Sequence, residues 1–214
     1  MDVLFDARLL HRPLSGLERV QRNLIRELSE RSEIARLRVL VESGTPLPGD
    51  FPKNAEVVEV CSTEDIMAVL LSRDPAERPD VYHLSWFPDG SPRDLLLLPA
   101  ARAAVVEVHD AILNRHPEYF PNEDRWRWYD GFVKRLVARA DRLLVHSESV
   151  ATEVEQDLAG DRSKGDVAPL AVDPCLHENV SDSFVERLLG EYKISGSYFV
   201  SLGKDYPHKD HATM

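Results

Sequence analysis

Cysteine is scarce in this 214-residue chain: only Cys61 and Cys175 occur, at no metal-ligand spacing, which excludes a disulfide framework and a zinc cluster built on thiolates. Long apolar runs are missing too. The longest, Leu95 to Pro99 continuing through Ala100 and Ala101 to Arg102, is far too short to cross a bilayer. A cationic start is absent: Asp2 and Asp6 occupy its place, and Arg8, His11 and Arg12 interrupt any apolar segment of a signal peptide, so the expected location is the cytoplasm. Positive charge is in deficit. With 26 Lys+Arg against 37 Asp+Glu the net charge is −11, which disfavours binding that depends on neutralising a nucleic-acid backbone. No G-x-G-x-x-G follows the first apolar strand, which disfavours a nicotinamide-dependent enzyme. Internal repeats and low-complexity tracts are also lacking.

What remains is the composition of an ordinary folded protein, 43% hydrophobic and 29% charged, long enough for one substantial core or for a domain with a fragment of a second. Apolar periodicity alternates between strand-like runs and helix-like spacing, the pattern of a parallel sheet covered by helices. Val3 to Phe5 reads as a strand, followed by a turn at Pro13, Ser15 and Gly16 and a helix with Leu17, Val20, Leu24 and Leu28 on its inner face. Further strands are expected at Leu37 to Val41, around Val57 to Val60, at Val81 to Leu84, at Ala103 to Val108 as a fully apolar run, at Leu143 to Val145 and at Val167 to Leu170.

Between them, Ser62 and Asp65 form a capping-box pattern for a helix carrying Ile66, Val69 and Leu70 inward. Asn122, Glu123 and Asp124 open a long helix burying Trp126, Tyr129, Val133, Leu136 and Val137. Ser147 and Ser149 read as caps of a helix with Val150, Val154 and Leu158 in register, stopped by Gly160. Apolar density falls across Pro174 to Asp182, which reads as a crossing between domains. A helix around Phe184, Leu188 and Leu189 and a strand from Tyr198 to Leu202 then begin a second α/β unit. Its opening helix at His208 to Met214 lacks partner strands, so the chain reads as residues 1–175 of one domain and 176–214 of the crossing and the start of another.

Parallel sheets bind ligands beyond the carboxyl ends of their strands, which directs attention to His83, His109 and Asp110. Taken in order, Asp6-Ala-Arg with Ser15-Gly-Leu-Glu-Arg19, Val106-Glu-Val-His-Asp110, Ala140-Asp-Arg-Leu-Leu-Val-His-Ser147, Val167-Ala-Pro-Leu-Ala-Val-Asp173, and Tyr198-Phe-Val-Ser-Leu-Gly-Lys204 with His208-Lys-Asp210 resemble the retaining nucleotide-sugar glycosyltransferases of family four. Ala171 stands where that family usually has glycine, Lys204 where arginine is common and Asp210 where asparagine is common.

The resemblance implies two facing Rossmann-like domains, the GT-B fold, of which this chain holds the acceptor-side half. It implies transfer of a sugar from a nucleotide-sugar donor to a glycan, lipid-linked or small-molecule acceptor with retention of configuration, and no required metal or other cofactor. His109 and Asp110 are then the expected catalytic pair, the histidine meeting the transferred sugar and the carboxylate fixing its tautomer or holding the loop. Gly16, Lys204 and Lys209 are expected at the donor diphosphate, where a helix N-terminus and cations compensate its charge. Arg19 and Trp86, with Phe87 beside it, are candidates for acceptor contact; the aromatic stripe Trp126, Trp128, Tyr129 and Phe132 could meet an acceptor or a membrane surface, but Trp126 and Tyr129 fit helical core spacing better. The 214-residue chain alone is expected to turn over no sugar nucleotide. The alternative is a non-catalytic module that binds a glycan or a protein on the same strand-end surface.

Overall fold

The computed structural model describes residues 1–10, 16–85, 95–172 and 179–200. Trp86, Phe87, Lys204, Lys209 and the expected helix at 208–214 lie outside the described residues. The chain divides into two units, Met1–Ala171 and Val172–Met214.

In the first unit, seven strands form one sheet: β1 (Asp2–Asp6), β2 (Arg36–Glu42), β3 (Ala55–Val60), β4 (Val81–Leu84), β5 (Ala104–Val108), β6 (Arg142–Val145) and β7 (Gly165–Val167). Their order is β3-β2-β1-β4-β5-β6-β7 and every pairing is parallel. This is a Rossmann-like α/β sheet. The chain winds outward from β1 to β3, then returns to lay β4 on the other side of β1, so the strand order reverses between β1 and β4.

Helices cover both faces. On one, α1 (Gly16–Ser29) places Ile25 against Val3, Phe5, Val39 and Val41. On the other, α2 (Thr63–Leu70), α3 (Leu97–Ala100), α5 (Glu123–Arg139) and α6 (Glu148–Asp157) bury Ile66, Leu97, Phe132, Leu136 and Val154 with Leu4, Tyr82, Val106 and Val145. A short α4 (Ile112–Arg115) follows β5. The alternation of strand side chains sends Phe5 to one cluster and Leu4 to the other, as a sheet buried on both faces requires.

Several elements depart from their sequence expectation. In α1, Leu24 and Leu28 pack partly buried against the core beside the buried Ile25, but Glu18 and Gln21 are buried too, Gln21 donating to the Ser85 hydroxyl just after β4. In α5, Phe132 joins Val133, Leu136 and Val137 in the core, while Trp126 and Tyr129 stay half-buried near the first turns, so Phe132 is a core residue rather than a contact surface. Trp126 donates its indole N–H to the Asn114 carbonyl at 3.0 Å. Strand β7 ends at Val167 instead of reaching Leu170.

Ser62 and Asp65 do form the capping box of α2, and Ser147, not the exposed Ser149, caps α6. At the far end of α6 the left-handed position is taken by Ala159, at φ 54°. Gly160 serves packing instead: a Cβ there would lie 2.5 Å from Val154 Cγ1 and 3.0 Å from Val137 Cγ1.

The second unit holds α7 (Asp182–Glu191), capped by Ser181, whose hydroxyl accepts from Phe184 N–H at 3.3 Å. Tyr198, Phe199 and Val200 are exposed and form no strand.

Candidate functional site

Because all seven strands run the same way, their carboxyl ends share one edge, and the residues that follow β1, β4, β5 and β6 are neighbours there. Asp6 closes β1. It is buried, and its carboxylate accepts from Arg8 Nε at 2.9 Å, from an Arg8 terminal nitrogen at 2.8 Å and from the Tyr82 hydroxyl at 2.6 Å. These bonds fix the turn leaving the first strand. Ser85 follows β4: its hydroxyl accepts from the Gln21 side chain at 2.7 Å, and its carbonyl lies 3.2 Å from His109 Nε2. Gln21 and Ser85 therefore tie α1 to the histidine at the end of β5.

The centre of this edge is a residue that the apolar reading of β5 passed over. Glu107 is 0% exposed. Register pairs Phe5 with His83, His83 with Val105 and Glu107 with Leu144, so two-residue alternation brings His83, Glu107, His109 and His146 to one face. Three imidazoles surround the carboxylate: His146 Nε2 at 2.9 Å and His109 Nε2 at 3.3 Å from one oxygen, and His83 Nε2 at 3.6 Å from the other. Close as they are, the contacts of His83 and His146 are not aligned as hydrogen bonds, and among the described residues neither Glu107 oxygen has an aligned donor. They act as charge contacts more than as directed bonds. The His109 and His146 rings stand 4.6 Å apart, and His83 meets Phe5 edge-on at 4.8 Å.

Burial alone would raise the Glu107 carboxyl, but His146, His83 and the charge of His109 outweigh it and hold its pKa at about 2. Glu107 is thus a buried anion at neutral pH. His109 is pulled below the ordinary histidine value by burial, against the attraction of Glu107 and with the repulsion of His146, which leaves its ring neutral. His146 goes the other way: burial would lower it, but Glu107 and the Ala168 carbonyl on its Nδ1 together raise it. Adjacent histidines with opposite shifts can hold a neutral hydrogen-bonding group beside a charged one.

Asp110 sits beside His109 in sequence but is exposed, and one of its oxygens accepts the Ile112 N–H at 2.9 Å at the start of α4. It holds the loop; the carboxylate against the His109 ring is that of Glu107. Its charge also contributes, after burial, to raising the Tyr129 phenol well above its usual range. Gly16 is the first residue of α1, exposed, with no atom within 4 Å of where a Cβ would stand. Nothing else in the described chain demands glycine there. Arg19 is exposed on the first turn of α1. A separate recess between α1 and residues 48–52 is lined by Leu10, Ile25 and Phe51, with Arg22 and Arg26 both paired to Asp50; it contains none of the expected site residues.

Residues 14–175 match the family description Glycosyltransferase Family 4, which spans β1's exit loop through the end of the sheet. The chain belongs to glycosyltransferase family 4. Among solved structures it is similar to Anabaena Alr3699/HepE in complex with UDP, at 18% identity and a TM-score of 0.55, and to the same protein in complex with UDP and glucose, at 18% identity and 0.57. Each match covers 90% of this chain and 50% of the other, so the chain spans about half the length of the glycosyltransferase structures it matches. At that identity the likeness shows the shared fold. No curated protein matches the chain. No helix among the described residues is long and apolar enough to cross a membrane.

Proposed function

We propose that this family-4 chain contributes the acceptor-side wall of a nucleotide-sugar-dependent hexosyltransferase that works with retention of configuration and without a required metal. The observation that carries the reading is a neutral, fixed imidazole, His109, at the carboxyl edge of the sheet next to the strand-order reversal, within the segment matched to the family. A neutral imidazole in that place can hydrogen-bond a sugar hydroxyl as the bond to the diphosphate breaks. The acceptor hydroxyl enters on the face from which the diphosphate leaves, and the leaving oxygen takes its proton.

Gly16 at the head of α1 lets backbone approach a diphosphate, and the family resemblance gives Lys204 and Lys209, outside the described residues, the role of compensating the donor's charge. Arg19 and Trp86 are the residues assigned to acceptor contact, and Asp110 keeps the loop after His109 in place. Uridine is the base we favour, because the similar Anabaena structures hold UDP, one of them with glucose. The acceptor is a glycan, a lipid-linked sugar or a small molecule, reached from the cytoplasm with peripheral contact at a membrane surface in the lipid-linked case.

Calorimetric titration with UDP, GDP, ADP and CDP tests the donor assignment. UDP should bind and Gly16→Val should weaken it; equal, non-saturating responses to all four would overturn the reading. Retention is read from the anomeric proton coupling of the product formed from a UDP-hexose by the protein carrying the donor-binding half. An inverted product would remove that part of the proposal.

A further inference from the structure

The side chains of Glu107, His109 and His146 place one ligand atom each within 4.8 Å of one another. We propose that these three residues form a binding site for a divalent d-block cation of the zinc class, with Glu107 and His146 as its anchors. The outer nitrogen of His146 fixes the tautomer of its ring. Its Nδ1 lies 3.1 Å from the Ala168 carbonyl, and a carbonyl can only accept, so Nδ1 carries a proton. In the neutral form of the ring, Nε2 directs a lone pair at an oxygen of the Glu107 anion only 2.9 Å away. Two lone pairs at that separation repel unless a positive centre stands between them.

A proton on Nε2 would serve best along a straight N–H···O line, and that alignment is lacking. A metal ion needs no such line. Two bonds of about 2.0–2.1 Å meeting at a tetrahedral angle hold their ligand atoms about 3.3 Å apart. The Glu107 oxygen stands 2.9 Å from His146 Nε2 and 3.3 Å from His109 Nε2. An imidazole whose second nitrogen donates to a backbone carbonyl is also the usual supported form of a metal ligand.

The donor set agrees with the choice of ion. Two imidazoles and one carboxylate suit zinc and leave a fourth position for water or an incoming oxygen ligand. Glu107 is fully buried, so the cation also answers the cost of a buried anion whose imidazole contacts are not aligned as hydrogen bonds. To join, His109 turns Nε2 away from the Ser85 carbonyl, 3.2 Å away, while His83 stays at 3.6 Å from the other Glu107 oxygen. If the transferase reading holds, cation and donor sugar compete for His109; the binding claim itself does not depend on that reading.

The test uses the untagged, chelator-stripped 214-residue protein and the metal alone. Cobalt(II) is added while its visible d–d bands are followed, and zinc(II) is titrated by calorimetry. One equivalent should bind, with an intense tetrahedral cobalt spectrum that zinc abolishes. H146A and E107Q should each weaken binding by at least about tenfold. H116A, which removes the exposed His116–Glu118 pair, should leave it unchanged. Nitrogen-15 spectra of the wild-type histidines need no variant: zinc should shift Nε2 of both His146 and His109. The proposal fails if no saturable binding occurs, if H146A binds as wild type does, if H116A removes the binding, or if Nε2 of His146 carries a proton at saturating zinc.

Discussion

Replacing Glu107 by glutamine keeps the shape of a fully buried side chain and removes its charge. The carboxyl sits at about 2 in the folded protein against 4.5 for the free group. A downward shift of that size corresponds to about 3 kcal/mol, which the folded state gains from keeping this group ionised. Because the folded value is the lower one, the contribution is complete above pH 4.5 and is lost as pH falls towards 2. Urea unfolding of wild type and Glu107→Gln, both in chelator, should therefore differ by about 2–3 kcal/mol at pH 7. The gap should narrow steadily between pH 4.5 and the lowest pH at which both remain folded. Proton NMR on the same samples should show the pKa of His146 falling once the anion is gone, because Glu107 supplies the attraction that raises it. A gap of equal size at pH 7 and pH 3 would refute the reasoning, since it would show that Glu107 acts by packing alone. A more stable variant at pH 7 would refute it more strongly, by showing that the histidines do not offset the burial of the charge.

Other consequences are local. Gly160→Ala puts a methyl group 2.5 Å from Val154 Cγ1, and should lower stability by about 1–3 kcal/mol in denaturant titration. Ala159→Gly next to it should raise stability by about 1 kcal/mol, because it relieves a left-handed alanine at the end of α6. Gln21→Ala strips Ser85 of a buried 2.7 Å partner and should cost about 1–3 kcal/mol, with amide shifts reaching His109 through the Ser85 carbonyl. Tyr82→Phe removes the 2.6 Å donor to Asp6 but leaves the Arg8 fork, so its thermal shift should be smaller than that of Arg8→Met.

The strands were legible because a parallel sheet covered on both faces needs uninterrupted apolar runs; Val3 to Phe5, Val81 to Leu84 and Leu143 to Val145 stand where periodicity puts them. The placement of His109 at a strand end followed from the same pattern. In helix α1 the leucine spacing puts Leu24 and Leu28 against the core, as observed, but it gives no sign that Glu18 and Gln21 are buried as well, a tertiary demand that local spacing does not carry. Glu107 was hidden among Val105, Val106 and Val108. The signal for it was present: a carboxylate inside a buried strand must find partners, and His83, His109 and His146 sit at or just beyond the ends of three strands. Their convergence needed the strand order β4-β5-β6, which only the folded chain supplies.

The most direct test of the account is a map of amide shifts on adding UDP to the isotope-labelled protein carrying the donor-binding half. The strand-end reading predicts saturable changes at Gly16, Leu17, Arg19, Ser85, His109 and Asp110, all at the carboxyl edge of the sheet or the head of α1. Shifts confined to the opposite edge, around Asp80, Ala104 and Arg142, or no shifts at saturating UDP, would contradict it.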